Sequence, residues 1–116
     1  MRVLAFEDSV DIEALLIAGG LDINTMEIEQ RWTSADCLEH VQRFQPDVVL
    51  LDHYMPPNTG LEVLQSLLES TLKRPGVIVA MSSESAKNDA MVAFGADVGI
   101  VKFELASLSL WLPHVR

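Results

Sequence analysis

Apolar residues run along this chain in two rhythms. Val3-Leu4-Ala5-Phe6, Val48-Val49-Leu50-Leu51, Val77-Ile78-Val79-Ala80-Met81 and Val98-Gly99-Ile100-Val101 are short apolar runs, the pattern of strands buried on both faces. From Met26 the rhythm is strict alternation, with Met26, Ile28 and Trp32 set against Glu27, Glu29 and Arg31. That is a strand with one wet face, which places it at a sheet edge. Between the runs the spacing turns helical: Ile12, Leu15 and Leu16; Cys37, Leu38, Val41 and Phe44; Leu61, Leu64, Leu67, Leu68 and Leu72. A fourth helix runs to about Phe94, and a short final one carries Leu105, Leu108, Trp111 and Leu112 on one stripe.

The punctuation agrees with these elements. Ser9 can cap a helix starting near Val10, and Thr33 or Ser34 can cap the second. Gly19-Gly20 and Gly95 offer the left-handed stops that helix ends favour, Gln45-Pro46 closes the second helix, and Pro113 closes the last. Lys73 and Arg74 suit the negative end of the third. Strands alternating with helices at this spacing imply right-handed βαβ units, hence an α/β fold with a doubly wound parallel sheet covered on both faces. With no internal repeat or linker, residues 1–116 are expected to form one domain.

Composition narrows the partners. Seventeen Asp and Glu against eight scattered Lys and Arg give a net charge of −9, which argues against nucleic acid and anionic membrane surfaces. Cys37 is the only cysteine, so no internal disulfide forms, and its expected role is that of a small buried residue. The opening apolar tetrad meets Glu7-Asp8 too soon for a signal peptide, and no apolar stretch approaches the roughly 20 residues of a spanning helix. The expected location is the cytoplasm. His40, His53 and His114 share no metal-ligand spacing, and Trp32 and Trp111 are expected to pack rather than to bind ligands.

In a parallel sheet all strands end on one side, where ligands of open α/β sheets bind. That edge should gather Glu7 and Asp8 from the first strand, Asp52 from the third, Ser82 from the fourth and Lys102 from the fifth. Two carboxylates about 5 Å apart at an effective dielectric near 20 repel by about 3 kcal/mol. Lys102 answers part of that repulsion. A hard divalent cation answers the rest, with Mg2+ favoured where phosphate is also a ligand.

These residues, in this order, resemble a response regulator receiver domain, the phosphoacceptor module of two-component signalling. The resemblance covers essentially the whole chain. It rests on Glu7-Asp8, on Asp52-x-x-Met55-Pro56-x-x-x-Gly60, on the hydroxyl of Ser82 with Ser83 beside it as the alternative, on Gly95-Ala96-Asp97, and on Lys102. It implies the flavodoxin-like five-stranded order 2-1-3-4-5, in agreement with the edge position of the second strand. It implies also that Asp52 takes a phosphoryl group from a histidine kinase or phosphotransfer protein, with weak self-catalysed chemistry rather than enzymatic turnover. Asp8, Asp52 and the backbone carbonyl of Tyr54 would bind Mg2+, Glu7 mainly through water. Lys102 would pair with the phosphoryl group and Ser82 would hydrogen-bond it, while Tyr54 and Glu84 would flank the line of attack and tune the phosphoryl lifetime. A downstream protein would be met through helix four, strand five and helix five.

Two positions depart from the family pattern. Gly99 stands where strand five usually carries the aromatic that rotates on activation, so output through that face is expected to be non-standard. Phe103 replaces the usual proline after Lys102, and without proline a cis peptide costs roughly 2.5 to 4 kcal/mol. Two other functions compete with the phosphoacceptor. An adaptor that no longer takes phosphate is favoured by Gly99 and Phe103 and opposed by the intact acidic set. A haloacid dehalogenase-type phosphatase wants a second Asp where Tyr54 stands.

Overall fold

A computed structural model describes residues 1–116. Five strands, β1 (Arg2–Phe6), β2 (Glu27–Arg31), β3 (Val48–Leu51), β6 (Val77–Ala80) and β7 (Val98–Gly99), form one parallel sheet in the order β2-β1-β3-β6-β7. This is the flavodoxin-like 2-1-3-4-5 order once the small antiparallel hairpin β4 (Tyr54–Met55) and β5 (Asn58–Thr59) is set aside. The alternating strand is indeed at the edge, although it begins and ends one residue inside Met26 and Trp32. β3, at the centre, is buried throughout.

Strand side chains alternate in direction, so each strand feeds two cores. Leu4, Phe6, Val49, Leu51, Ile78 and Ala80 face α2 (Cys37–Phe44), α3 (Gly60–Glu69) and α4 (Ser85–Phe94), meeting Val41, Leu64, Leu67 and Met91. Val3, Ala5, Val48, Leu50, Val79 and Met81 face α1 (Ile12–Ala18) and the C-terminal segment, meeting Ile12, Leu16, Leu105 and Trp111. Each fully buried Val, Leu or Ile contributes roughly 1.5 to 3 kcal/mol. Together they fix the strand heights on which the site depends.

The helix boundaries follow local chemistry that differs in places from expectation. Asp11, not Ser9, caps α1 by accepting from the Ala14 amide. Asp36 in a left-handed conformation precedes α2, and Ser34 is committed elsewhere. Thr59 and Glu62 form a reciprocal capping box on α3, which ends at Glu69, before Leu72. Gly95 ends α4 as expected. The expected final α-helix is two 3₁₀ segments instead, Lys102–Ser107 and Ser109–His114, with Pro113 inside the second.

The physical reason for this last correction lies in geometry and sequence. Side chains at i and i+3 eclipse in a 3₁₀ helix, so Leu105, Leu108 and Trp111 line up against the core while Leu112 turns out, 68% exposed. Pro113 also lacks the N–H that would continue an α-helical ladder. Trp111 is fully buried with its indole N–H donated to the Leu105 carbonyl (2.9 Å). Trp32, expected to pack, is half exposed. The Pro56–Pro57 bond is cis and the Lys102–Phe103 bond is trans.

Candidate functional site

Strand register sets the site. Phe6 pairs with Leu51, Leu51 with Ala80, and Ala80 with Gly99, so the residues that follow leave the sheet at one height. The ladder continues one step beyond the strands: the Asp52 amide donates to Phe6 O (3.0 Å), Met81 to Leu51 O (2.9 Å) and Ile100 to Ala80 O (2.9 Å). Glu7, Asp8, Asp52, Ser82 and Lys102 therefore all come from the carboxyl edge of the sheet.

The structure brings the acidic residues and the lysine into contact. Carboxylate oxygens of Glu7, Asp8 and Asp52 lie within 4.8 Å of one another. The Lys102 ammonium lies 2.7 Å from Glu7 Oε1 and 3.3 Å from Asp52 Oδ2. Glu7 is fully buried and Asp52 and Lys102 nearly so, whereas Asp8 is exposed at the rim. Glu7 is further tied down by Ser9 and Val10, whose amides donate to Oε2 at 2.9 and 2.6 Å. Ser9 thus serves the acidic loop rather than the helix it was expected to cap.

Burial and crowding divide the two inner carboxylates. Burial opposes charge on Glu7, but the Lys102 ammonium, Asp52 and the Ser9 and Val10 amides together hold its pKa at about 2. Asp52 is pushed up to about 6 by burial and by the adjoining Glu7, against the pull of the His53 amide and Lys102. Burial alone would lower the Lys102 pKa, yet its two carboxylate neighbours raise it. As pH falls, the first proton to enter this pair therefore goes to Asp52 rather than to Glu7. A hard cation among three carboxylates would displace that proton, and all-oxygen donors are the set that magnesium-class ions prefer.

Just beyond β6, Ser82 is buried and Ser83 exposed. The Ser82 hydroxyl oxygen accepts from the Glu84 amide (3.1 Å). Tyr54 is exposed and donates its hydroxyl to Glu84 Oε2 (3.2 Å), which bridges the loops that follow β3 and β6. Gly60 lies directly under Asp52: a Cβ there would fall 2.0 Å from the Asp52 carbonyl oxygen. That close approach is what the glycine of the Asp52 signature permits.

A comparison with known families places this geometry. The model of the response regulator receiver domain matches residues 3–105. The chain belongs to the response regulator receiver domain family. Among curated relatives, a protein-glutamate methylesterase/protein-glutamine glutaminase of Nitrobacter winogradskyi is 33% identical over 97 residues, 83% of this chain and 22% of that protein. One from Rhodopseudomonas palustris is 32% identical over 120 residues, all of this chain and 32% of that protein. The chain thus spans a third or less of the length of these two relatives.

Solved receiver domains share the fold. The response regulator domain of Thermotoga maritima CheB superposes with a TM-score of 0.70 at 25% identity, covering 95% of this chain and 83% of that one. The BeF3-activated receiver domain of Klebsiella pneumoniae RstA gives 0.72 at 27% identity, covering 97% and 98%. The chemotaxis regulator CheY4 of Vibrio cholerae gives 0.74 at 24% identity, covering 96% and 98%. Receiver domains bind Mg2+ at an acidic pocket, and Glu7, Asp8 and Asp52 form such a cluster here.

Sequence reasoning missed Gln30 and Asn88, two polar residues that brace the loops at the strand ends, and read Ser34 as a helix cap. Gln30 in β2 donates to the carbonyls of Glu7 (3.0 Å) and Val10 (2.8 Å) and accepts from the Ile12 amide (2.9 Å), which fixes the acidic loop. Ser34 accepts from the Asn58 amide (2.6 Å) and donates to the Met55 carbonyl, which holds the β4–β5 hairpin. Asn88 in α4 binds Ser82. Gln30 carries a legible signal, since it falls on the apolar phase of an otherwise alternating strand. Asn88, three residues before the buried Met91, falls on the inner phase of its helix.

Proposed function

We propose that this chain is a phosphoacceptor switch in which Asp52 takes a phosphoryl group from a phosphohistidine on a kinase or phosphotransfer protein. The observation that carries the reading is the placement of Lys102 and two further carboxylates around a nearly buried Asp52. One Asp52 oxygen attacks phosphorus as the phosphorus–nitrogen bond breaks, and the electron pair leaves on the imidazole. Such transfer needs positioning and charge neutralisation more than covalent machinery. Lys102, already between Glu7 and Asp52, would meet one phosphoryl oxygen. Ser82, whose oxygen is occupied by the Glu84 amide, keeps its own hydrogen for another.

Asp8, Asp52 and the Tyr54 carbonyl would hold Mg2+, with Glu7 acting through water because both its oxygens are already engaged. The ion supplies charge neutralisation for the incoming phosphoryl oxygens. Tyr54 and Glu84 would tune the lifetime of the acyl phosphate by controlling approach of water. The product acts by protein contact in the cytoplasm, through the face made by α4, β7 and the C-terminal 3₁₀ segments, where Val92, Phe103 and Leu112 are exposed.

Incubation with acetyl phosphate and magnesium tests this reading. The intact protein is expected to gain one phosphoryl mass, and Asp52→Asn to gain none. No gain in the wild-type protein would favour the phosphate-independent adaptor, and a gain that survives Asp52→Asn would move the acceptor elsewhere.

A further inference from the structure

Asn88 spends all its side-chain hydrogen-bonding atoms on two loops of the site. It is 2% exposed, in the first half of α4. Its Oδ1 accepts from the Ser82 amide (2.7 Å), and its Nδ2 donates to the carbonyls of Ser82 (2.9 Å) and Ile100 (2.9 Å). Ser82 follows the end of β6, and Ile100 stands two residues before Lys102. One amide therefore ties the helix both to the candidate phosphate-binding hydroxyl and to the strand end that delivers the amine.

The edge strand is shaped to allow it. A Cβ on Gly99 would lie 3.1 Å from Asn88 Cβ and 3.3 Å from Val92 Cγ2, so α4 rests on bare backbone where a side chain would have to displace it by a few tenths of an ångström. Gly99 does not have the positive φ that demands glycine. Space for α4 against β7 is what this glycine provides.

We infer that Asn88 is a positioning residue that sets the Ser82 hydroxyl and couples its movement to α4 and to the Ile100–Lys102 turn. This rests on the phosphoacceptor reading only for the movement. The fixing of Ser82 stands on the hydrogen bonds. A buried side-chain amide with every partner engaged is rigid, because leaving any of those groups unpaired is costly. Drawing Ser82 toward a phosphoryl group therefore draws the first turns of α4 with it.

Two measurements on the full chain test the inference. In ligand-free protein, the Ser82 amide is expected to exchange with solvent at least 10-fold faster in Asn88→Ala than in the wild type, with the Asp52 amide, bonded to the Phe6 carbonyl, as internal control. Unchanged Ser82 exchange overturns the positioning role. With magnesium and beryllofluoride, wild-type amide shifts are expected at Ser82, Ile100 and along α4 to Val92. In Asn88→Ala, shifts at Asp52 and His53 should persist, with affinity reduced about 3- to 10-fold, while those of α4 should fall by more than half. Gly99→Ala, which crowds the Asn88 Cβ and leaves its side-chain amide atoms in place, should show the same split if Asn88→Ala folds poorly. Undiminished α4 shifts in both variants overturn the coupling. A wild-type pocket silent to beryllofluoride defeats the phosphoacceptor reading and the coupling with it, and the exchange experiment still decides whether Asn88 fixes Ser82.

Discussion

Lys102 has two neighbours that need it. It is the only cation against Glu7 and Asp52, at 2.7 and 3.3 Å, in a pocket where all three side chains are almost wholly buried. A buried ion pair adds little over an apolar substitute for both partners, but removing one partner strands the other and costs roughly 3 to 5 kcal/mol. Lys102→Met keeps most of the side chain's volume and removes the charge. It is expected to lower stability by that order in EDTA, measured by urea denaturation at pH 7.5, and magnesium should recover part of the loss. A stability equal to wild type without a divalent ion would mean that the ammonium does not hold the carboxylates together. The same variant should also lose phosphoryl uptake.

Elements position these residues through contacts that leave no slack. Gly60 opens α3 beneath the Asp52 backbone, and its missing Cβ would meet the Asp52 carbonyl oxygen at 2.0 Å and carbon at 2.9 Å. Gly60→Ala must therefore shift backbone rather than a flexible side-chain end. Its expected cost is roughly 1 to 3 kcal/mol, the range for overpacking, with a fall in acetyl phosphate uptake as Asp52 moves. An alanine variant that phosphorylates at the wild-type rate would show that the loop can reshape freely. The C-terminal segment depends on one side chain: Trp111 is fully buried among the strands' second core. Trp111→Ala should cost roughly 3 to 5 kcal/mol in urea and release amide protection over 102–114 before the sheet unfolds. The sheet and the strand-end residues were legible because unbroken apolar runs and the polar residues after them have few alternatives. The final helix was not, since leucines and a tryptophan spaced three apart suit either an α-helix or a 3₁₀ helix, and only packing against α1 and β1 separates the two. Ser34 looked like a helix cap because hydroxyls at helix starts usually are; its true partners, Met55 and Asn58, are more than 20 positions away.

At the scale of the whole molecule, the buried acidic pair gives folding a pH optimum. In the folded protein Asp52 titrates near 6 rather than its ordinary 3.8, because burial and Glu7 disfavour its charge. The stability that this proton supplies is full below 3.8 and is lost as pH rises through about 6. Glu7 behaves oppositely: although burial opposes its charge, Lys102, Asp52 and the loop amides hold it at about 2 instead of 4.5. Its contribution is full above 4.5 and is lost as pH falls toward 2. The first contribution is already fading by pH 5 and the second is incomplete below 4.5, so the metal-free protein should be most stable near pH 4 to 4.5. Each flank should fall by roughly 2 kcal/mol from this pair, since neither contribution is complete at the optimum and each tenfold change in proton affinity is about 1.4 kcal/mol. Magnesium competes with the proton on Asp52 and adds about 2.7 kcal/mol when its concentration reaches 100 times its dissociation constant. It should therefore flatten the alkaline flank and leave the acid one. Urea denaturation at pH 3, 4, 5, 6, 7 and 8, in EDTA and in magnesium, measures both effects, and Asp52→Asn should flatten the alkaline flank without any metal. A metal-free wild type equally stable from pH 5 to 8 would show that the proton is not held on Asp52, and the charge repulsion proposed to recruit the cation would then be relieved in some other way.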